Sequence, residues 1–364
     1  MSIVASKLIS TFMLLSLFVR TSKAAYSTTK TSSAIMKAAV VHQAGGPEAL
    51  KIHNDWPVPQ PKDDQVLIRI RAFGLNRAEL FTRRGDSGPA VVFPRVIGIE
   101  CVGEVLEVGP GVMGLQPGQR VAALMGGMGR SYDGSYAEMT CVPRTSVFQI
   151  DSQLPWEILG ALPEMFQTSQ GSLLTGLRAK AGEYLLIRGG TSSIGLCVAS
   201  LAKRLGLVVA STTRNPSKVE ALKRAGVDHV IVDDGSSLKP QVEAAFGHGA
   251  DCVLDLIGPP TLKDSLRSCR DGGRVCMTGM LSGQWVWNSF EPFTDIPNGV
   301  FLTSYSGGSM DVTEEALQQF VTDVEDGKVP ASVDRTFKLD EIVEAHKYME
   351  ADKAKGKVVV VVDV

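Results

Sequence analysis

Leu185-Leu-Ile-Arg-Gly-Gly-Thr-Ser-Ser-Ile-Gly195 runs from an apolar segment through a turn of small residues into a helical pattern. Tyr184 to Ile187 has the length and character of a buried strand, and Ile194 to Leu205 carries apolar residues at helical spacing. A strand, a tight turn and a helix in that order leave uncompensated backbone N–H groups at the helix amino end, where the helix dipole also favours an anion. Small side chains let a phosphate come close. The stretch therefore predicts a loop for dinucleotide phosphates, contacted by Gly189, Gly190, Thr191, Ser192, Ser193, Ile194 and Gly195. The usual Gly-x-Gly-x-x-Gly spacing is not met, because Ser192 and Ser193 stand where a further glycine belongs, but a serine hydroxyl can itself donate to phosphate.

The segments that follow support this reading. Leu207-Val-Val-Ala-Ser-Thr-Thr-Arg-Asn-Pro-Ser-Lys218 ends without the acidic residue that binds a ribose 2′-hydroxyl, and offers Thr213, Arg214 and Lys218 instead. Those groups suit a 2′-phosphate, so NADP(H) is the expected cofactor. The plainer reading of Arg214 and Lys218 is a solvated helix start. Asp251 to Gly258 and Gly272 to Gly279 each read as a strand ending at the carboxyl edge of the same sheet, where ligands of such sheets lie. Strands alternating with helices from about residue 156 to 299 predict a doubly wound parallel sheet.

Residues 36–155 read differently. Short β-type runs at Ala38–Val41, Gln65–Ala72, Gly103–Val108 and Arg120–Ala123 are separated by Gly and Pro, which predicts a small β domain. Residues 300–364 return to mixed helix and strand and end in the apolar run Lys357 to Asp363. A length of 364 residues, 44% hydrophobic and 21% charged, suits a globular protein of two domains. With 37 basic and 39 acidic residues dispersed along the chain, nothing points to a nucleic-acid partner.

Residues 1–35 form a leader in which Lys7, Arg20, Lys23 and Lys30 precede the first acidic residue, Glu48, among many Ser and Thr. That composition favours a mitochondrial transit segment, whereas the apolar run Leu8 to Val19 followed by Ser22-Lys-Ala24 also fits a secretory signal. Translation from Met36 is a third route, and leads to a cytoplasmic protein. The run is too short for a stable membrane span. The six cysteines show no Cys-x-x-Cys pair, and the five histidines have no ligand spacing.

From Met36 onward the chain resembles the zinc-independent quinone oxidoreductase branch of the medium-chain dehydrogenases/reductases. The resemblance is carried by Met36-Lys-Ala-Ala-Val-Val-His-Gln-Ala-Gly-Gly-Pro47, Ala72-Phe-Gly-Leu-Asn-Arg-Ala-Glu-Leu80 with Arg84-Gly85, and Pro94 to Val105. Gly118-Gln-Arg-Val121, Gly134-Ser-Tyr-Ala-Glu138, Ala161-Leu-Pro163, the glycine loop and Gly356-Lys-Val-Val359 follow in the family's order. It implies an α/β fold in which a GroES-like β domain, built from both ends of the chain, carries an inserted Rossmann doubly wound parallel sheet. Substrate and nicotinamide then meet in the cleft between them, and homodimers are common.

In zinc-dependent relatives a Cys, a His and a further Cys or Asp hold the metal, and the matching residues here are Asn76, Ile99 and Met165, which do not form a zinc set. No metal is expected. The resemblance makes Asn76 the group that stabilises charge on the substrate oxygen, with a turn-forming asparagine as its plainer reading. It places Thr168, Gly279, Ser304 and Lys357 near the cofactor. Tyr136 and Tyr305 are candidate substrate contacts, with packing within the Gly134–Glu138 strand as the favoured reading of Tyr136. The expected activity is NADPH-dependent, metal-free reduction of quinones or α,β-unsaturated carbonyls. Two alternatives stand beside it: a 2-enoyl-thioester reductase, and an NADPH-binding protein without strong catalysis. Phe81, Tyr132, Trp285 and Trp287 offer aromatic surface for a flat substrate, or ordinary packing.

Overall fold

A computed structural model describes residues 34–89 and 91–363, so nearly all of the leader, with its competing readings, lies outside the described residues. The first part of the chain lays down β1 (Ile35–Val41), β2 (Leu50–Pro57), β3 (Gln65–Gly74), the helix α1 (Arg77–Arg84), β4 (Arg95–Val96), β5 (Glu100–Val108), β6 (Arg120–Leu124), β7 (Met139–Pro143) and β8 (Val147–Gln149). Each of the four expected β runs lies inside one of these strands. Val66, Ile68 and Ile70 alternate along β3 and enter one apolar core with Val40, Val105 and Tyr136, as period-2 patterning requires.

Two helices, α2 (Trp156–Leu159) and α3 (Pro163–Gly171), lead into the second domain. There β9 (Tyr184–Arg188), α4 (Ser193–Arg204), β10 (Val208–Thr213), α5 (Val219–Arg224), β11 (His229–Val232), α6 (Lys239–Phe246), β12 (Ala250–Asp255), α7 (Pro259–Arg267), β13 (Cys269–Met277), α8 (Pro292–Asp295) and β14 (Phe301–Ser304) follow one another. The sheet order is β11-β10-β9-β12-β13-β14 with every neighbour parallel. This is a Rossmann doubly wound sheet, and its strand order reverses between β9 and β12, where a crevice opens outside the strand ends. Its sixth strand lies past residue 299, the domain limit read from the sequence. The Pro297-Asn-Gly299 turn leads into an edge strand and does not end the domain.

The chain then returns through α9 (Glu314–Glu325), β15 (Val333–Lys338), α10 (Ile342–Glu350) and β16 (Lys357–Val361). β16 pairs antiparallel with β3, Val359 opposite Gly74, and completes a sheet of order β15-β16-β3-β5-β6-β8 with β7 on β3. That pairing brings Lys357 beside Asn76 across 281 residues of sequence. Among the described residues no helix is long and apolar enough to cross a membrane.

Candidate active site

A cavity of about 1270 Å³ separates the two domains, large enough for a dinucleotide and a substrate together. One wall comes from the Rossmann sheet. Ser192 caps α4, its Oγ accepting from Gly195 N at 3.1 Å and donating to Gly189 O at 2.9 Å. The glycines are required here by close approach: a Cβ on Gly190 would lie 1.7 Å from Ser211 Oγ, and one on Gly195 2.6 Å from the Gly190 backbone. Gly189, Thr191, Ser192, Ser193 and Ile194 line the cavity, whereas Gly190 and Gly195 act behind them by letting strand and helix meet. Thr213, Arg214 and Lys218 line it too, and Arg214 is exposed with no side-chain partner among the described residues. Lys218 reaches Ala354 O at 3.2 Å, tying this wall to the returning segment. Gly279 and Ser304 sit at the ends of β13 and β14 on the same crevice.

The facing wall is built around Asn76, the N-cap of α1 at the end of β3. Its backbone N–H donates to Glu79, which closes a capping box. Its side-chain nitrogen donates to Glu100 at 3.0 Å and to Glu79 at 3.2 Å, and its Oδ1 accepts from Lys357 Nζ at 2.5 Å. Lys357 also pairs with Glu100 at 2.8 Å and Glu164 at 3.1 Å. Burial works against its charge, yet the two glutamates outweigh burial and hold its pKa above the usual lysine range. Glu79 accepts from Ile99 N at 3.1 Å, and burial pushes its pKa up to about 8. Thr168 donates to Glu164 at 2.8 Å from α3 and lines the cavity.

Several residues singled out from the sequence are placed differently from one another. Tyr305 lines the cavity, its hydroxyl donating to Asp311 at 3.0 Å and accepting from Gln167 at 2.8 Å. Tyr136 does not reach the cavity. It is wholly buried, stacks on Phe73 with centroids 4.8 Å apart and meets His346 Nε2 at 2.9 Å, so its packing role is the one the geometry supports. Arg83 in turn touches His346 Nδ1 at 2.7 Å, and burial together with this cation keeps His346 neutral, its pKa well below the usual value. Lys357 borders the cavity, but at 1% exposure its charge is spent on the glutamates rather than turned to a cofactor phosphate. Phe81 and Trp285 meet edge to face at 4.7 Å and line the cavity, whereas Trp287 packs on Phe290.

Sequence reasoning missed Glu79, Glu100 and Glu164 as the charged groups around Asn76. One signal was present. Glu100 interrupts the apolar run Val96 to Val105, and a charge in such a run is buried only with a partner. Met165 and Ile99 are buried and offer no ligand atoms of the zinc type. Among the described residues no group of three His, Cys, Asp or Glu side chains is arranged to hold a metal ion.

Residues 62–152 match the alcohol dehydrogenase GroES-like domain and residues 225–360 the zinc-binding dehydrogenase domain. A 2-haloacrylate reductase from Burkholderia sp is 29% identical over 337 residues, which span 89% of this chain and 98% of that protein. A quinone oxidoreductase of Rattus norvegicus is 26% identical over 322 residues, 87% of this chain and 94% of the relative. A solved mycobacterial protein complexed with NADPH superposes with a TM-score of 0.79 at 26% identity, covering 90% of this chain and 99% of that one. The Rossmann order of the inserted sheet and the two matched domains agree, and the chain is an oxidoreductase of the medium-chain dehydrogenase/reductase family, in its quinone oxidoreductase branch.

Proposed function

We propose that the protein is an NADPH-dependent reductase of quinones or α,β-unsaturated carbonyl compounds that works without a metal. The observation that carries this reading is a single cavity lined both by the open end of α4 with Arg214 and Lys218 and by Asn76 with its buried charges. Gly189, Thr191, Ser192 and Ser193, which line the cavity at the amino end of α4, fit a pyrophosphate there. Arg214 and Lys218 support NADPH over NADH, because no acidic side chain ends β10 to take a 2′-hydroxyl.

The start of α4, Arg214 and Lys218 would hold NADPH, whose chemistry there would be hydride donation to an electron-poor carbon of the substrate. The π electrons of the conjugated bond move onto the carbonyl oxygen, and a proton from solvent completes the reduction. Asn76 is placed to meet that oxygen if one amide N–H leaves its present partner. Glu79 is the partner that yields, since its bond to the amide is the longer of the two, 3.2 Å against 3.0 Å to Glu100. Lys357 at Oδ1 polarises the amide and strengthens the N–H as a donor. The ammonium of Lys357 pairs with both Glu100 and Glu164 and holds them beside Asn76. Phe81 and Trp285 provide an aromatic face for a flat acceptor.

Pairing of two chains through the Rossmann sheets is supported by the open edge of β14, where Phe301 is 63% exposed, and by the fully exposed Phe293. Light scattering on the purified chain tests this.

The activity is tested by following NADPH oxidation at 340 nm with the full chain against 1,2-naphthoquinone, a simple enone and a crotonyl thioester. Reduction of the first two supports the reading. Turnover of the thioester alone replaces it with an enoyl-thioester reductase. Tight NADPH binding without turnover of any of the three leaves a binding protein.

A further inference from the structure

We infer that the substrate carries an anionic group, a carboxylate in the simplest case, and that Arg130 anchors it. The inference rests on the reductase reading above and deepens it by naming the substrate class. It begins with the charges on the cavity. Arg77 pairs with Asp352, Arg188 with Asp233 and Asp264, and Lys357 with Glu100 and Glu164. Arg214 and Lys218 stand on the Rossmann wall, where the cofactor phosphates are expected. Arg130 lines the same cavity on the Asn76 wall and makes no side-chain hydrogen bond or ion pair among the described residues. Its Nε is shut away from solvent with no partner, and the half-buried residue lines the cavity.

The loop that presents Arg130 is built for a fixed position. Met125, Gly126, Gly127 and Gly129 all have positive φ, from 59° to 93°. A Cβ on Gly129 would lie 2.5 Å from Gly98 O, and one on Gly126 2.1 Å from Ser146 Oγ. Met125 N donates to Ile99 O at 2.7 Å, and Ile99 N donates to Glu79, which holds Asn76. Backbone contacts thus couple the Arg130 loop to the Asn76 cluster. A planar guanidinium on so tight a loop matches a planar oxyanion through two parallel N–H bonds. The cofactor does not supply that anion, since its phosphate site lies across the cavity. Phe81 and Trp285 complete a site for a conjugated, partly flat acid.

The test compares 3-benzoylacrylate with its methyl ester, a pair that differs in one charge. In both, hydride adds to the carbon β to the ketone, a solvent proton adds to the α carbon, the C=C bond becomes single and NADPH becomes NADP⁺. The wild-type chain is expected to show at least about 10-fold higher kcat/KM for the acid, mostly through KM. Arg130→Gln should bring the acid-to-ester ratio down by about 10- to 100-fold, and Arg130→Lys should restore part of it. Unchanged thermal unfolding of both variants excludes a fold defect. Preference for the ester, or equal loss of both substrates in Arg130→Gln, overturns the inference. If neither compound is reduced, the reductase reading fails for this class, and titration with the saturated acid 3-benzoylpropionate decides separately. Binding at least about 10-fold weaker in Arg130→Gln upholds the anion site, and equal or undetectable binding in both proteins overturns it.

Discussion

The two walls of the cavity use charge in opposite ways. On the Asn76 wall Lys357, Glu100 and Glu164 are nearly or fully buried and satisfy one another within 3.1 Å, with Asn76 held among them. On the Rossmann wall Ser193 and Ile194 at the start of α4 and Arg214 meet the cavity directly, Arg214 having no side-chain partner among the described residues. The first arrangement suits a chemical step, because dipoles already fixed need no reorganisation when charge develops. The second suits recognition, because donors without internal partners gain most from a charged ligand. A buried ion cluster is also fragile in one direction: removing a single member strands the others.

That difference can be broken most severely at Lys357. Lys357→Met leaves Glu100 and Glu164 buried side by side, and should lower unfolding stability by about 3–5 kcal/mol in urea titrations. Little or no loss would mean that the cluster is not dry. Asn76→Ala should leave NADPH binding, followed by fluorescence, within twofold of wild type. Its kcat for 1,2-naphthoquinone should drop about 10²- to 10³-fold, as when one oxyanion donor is removed. On the Rossmann wall, Arg214→Ala should weaken NADPH by about 1.5–3 kcal/mol, the worth of a charged hydrogen bond, while NADH affinity stays unchanged. Equal loss for both cofactors would remove Arg214 from the 2′-phosphate.

The smallest effect concerns Glu79 and pH. Its folded pKa of about 8 lies above the usual 4.5, so the folded protein keeps a proton that the unfolded chain releases. The resulting stability is fully present below pH 4.5 and is lost as pH rises through 8. Glu79→Gln removes that slope, so relative to wild type it should gain about 1 kcal/mol between pH 6.5 and 7.5. Parallel pH profiles of the two proteins in guanidinium unfolding would place an ionised carboxylate at position 79.

The Rossmann half was the more legible of the two. Leu185 to Gly195 predicts a strand, a turn and a helix because each is dictated by near neighbours: four apolar residues, small residues at the close contacts, then a 3.6-residue period. The absence of an acid before Arg214 could likewise be read in a single short stretch. The Asn76 wall was only half legible. Asn76 itself was found through a resemblance, but its partners Glu100, Glu164 and Lys357 come from three distant places and share no local pattern. Tyr136 shows the converse, since its neighbours in sequence do not reveal that His346 and Phe73 enclose it.

By itself the sequence determined what depends on spacing along the chain: the parallel α/β unit, the β-rich segment before it and the strand, turn and helix at 184–205, while the absence of a zinc ligand set was read through the family resemblance. Tertiary structure alone decided what depends on β3 and β16 lying side by side, which places a lysine from the end of the chain under Asn76 and joins three remote charges in one buried cluster. It likewise decided that the glycine loop at 125–130 is pressed against Gly98 and turns an unpaired arginine into the cavity. Spacing is a property of neighbours, whereas desolvation and charge pairing depend on which distant residues are brought into contact.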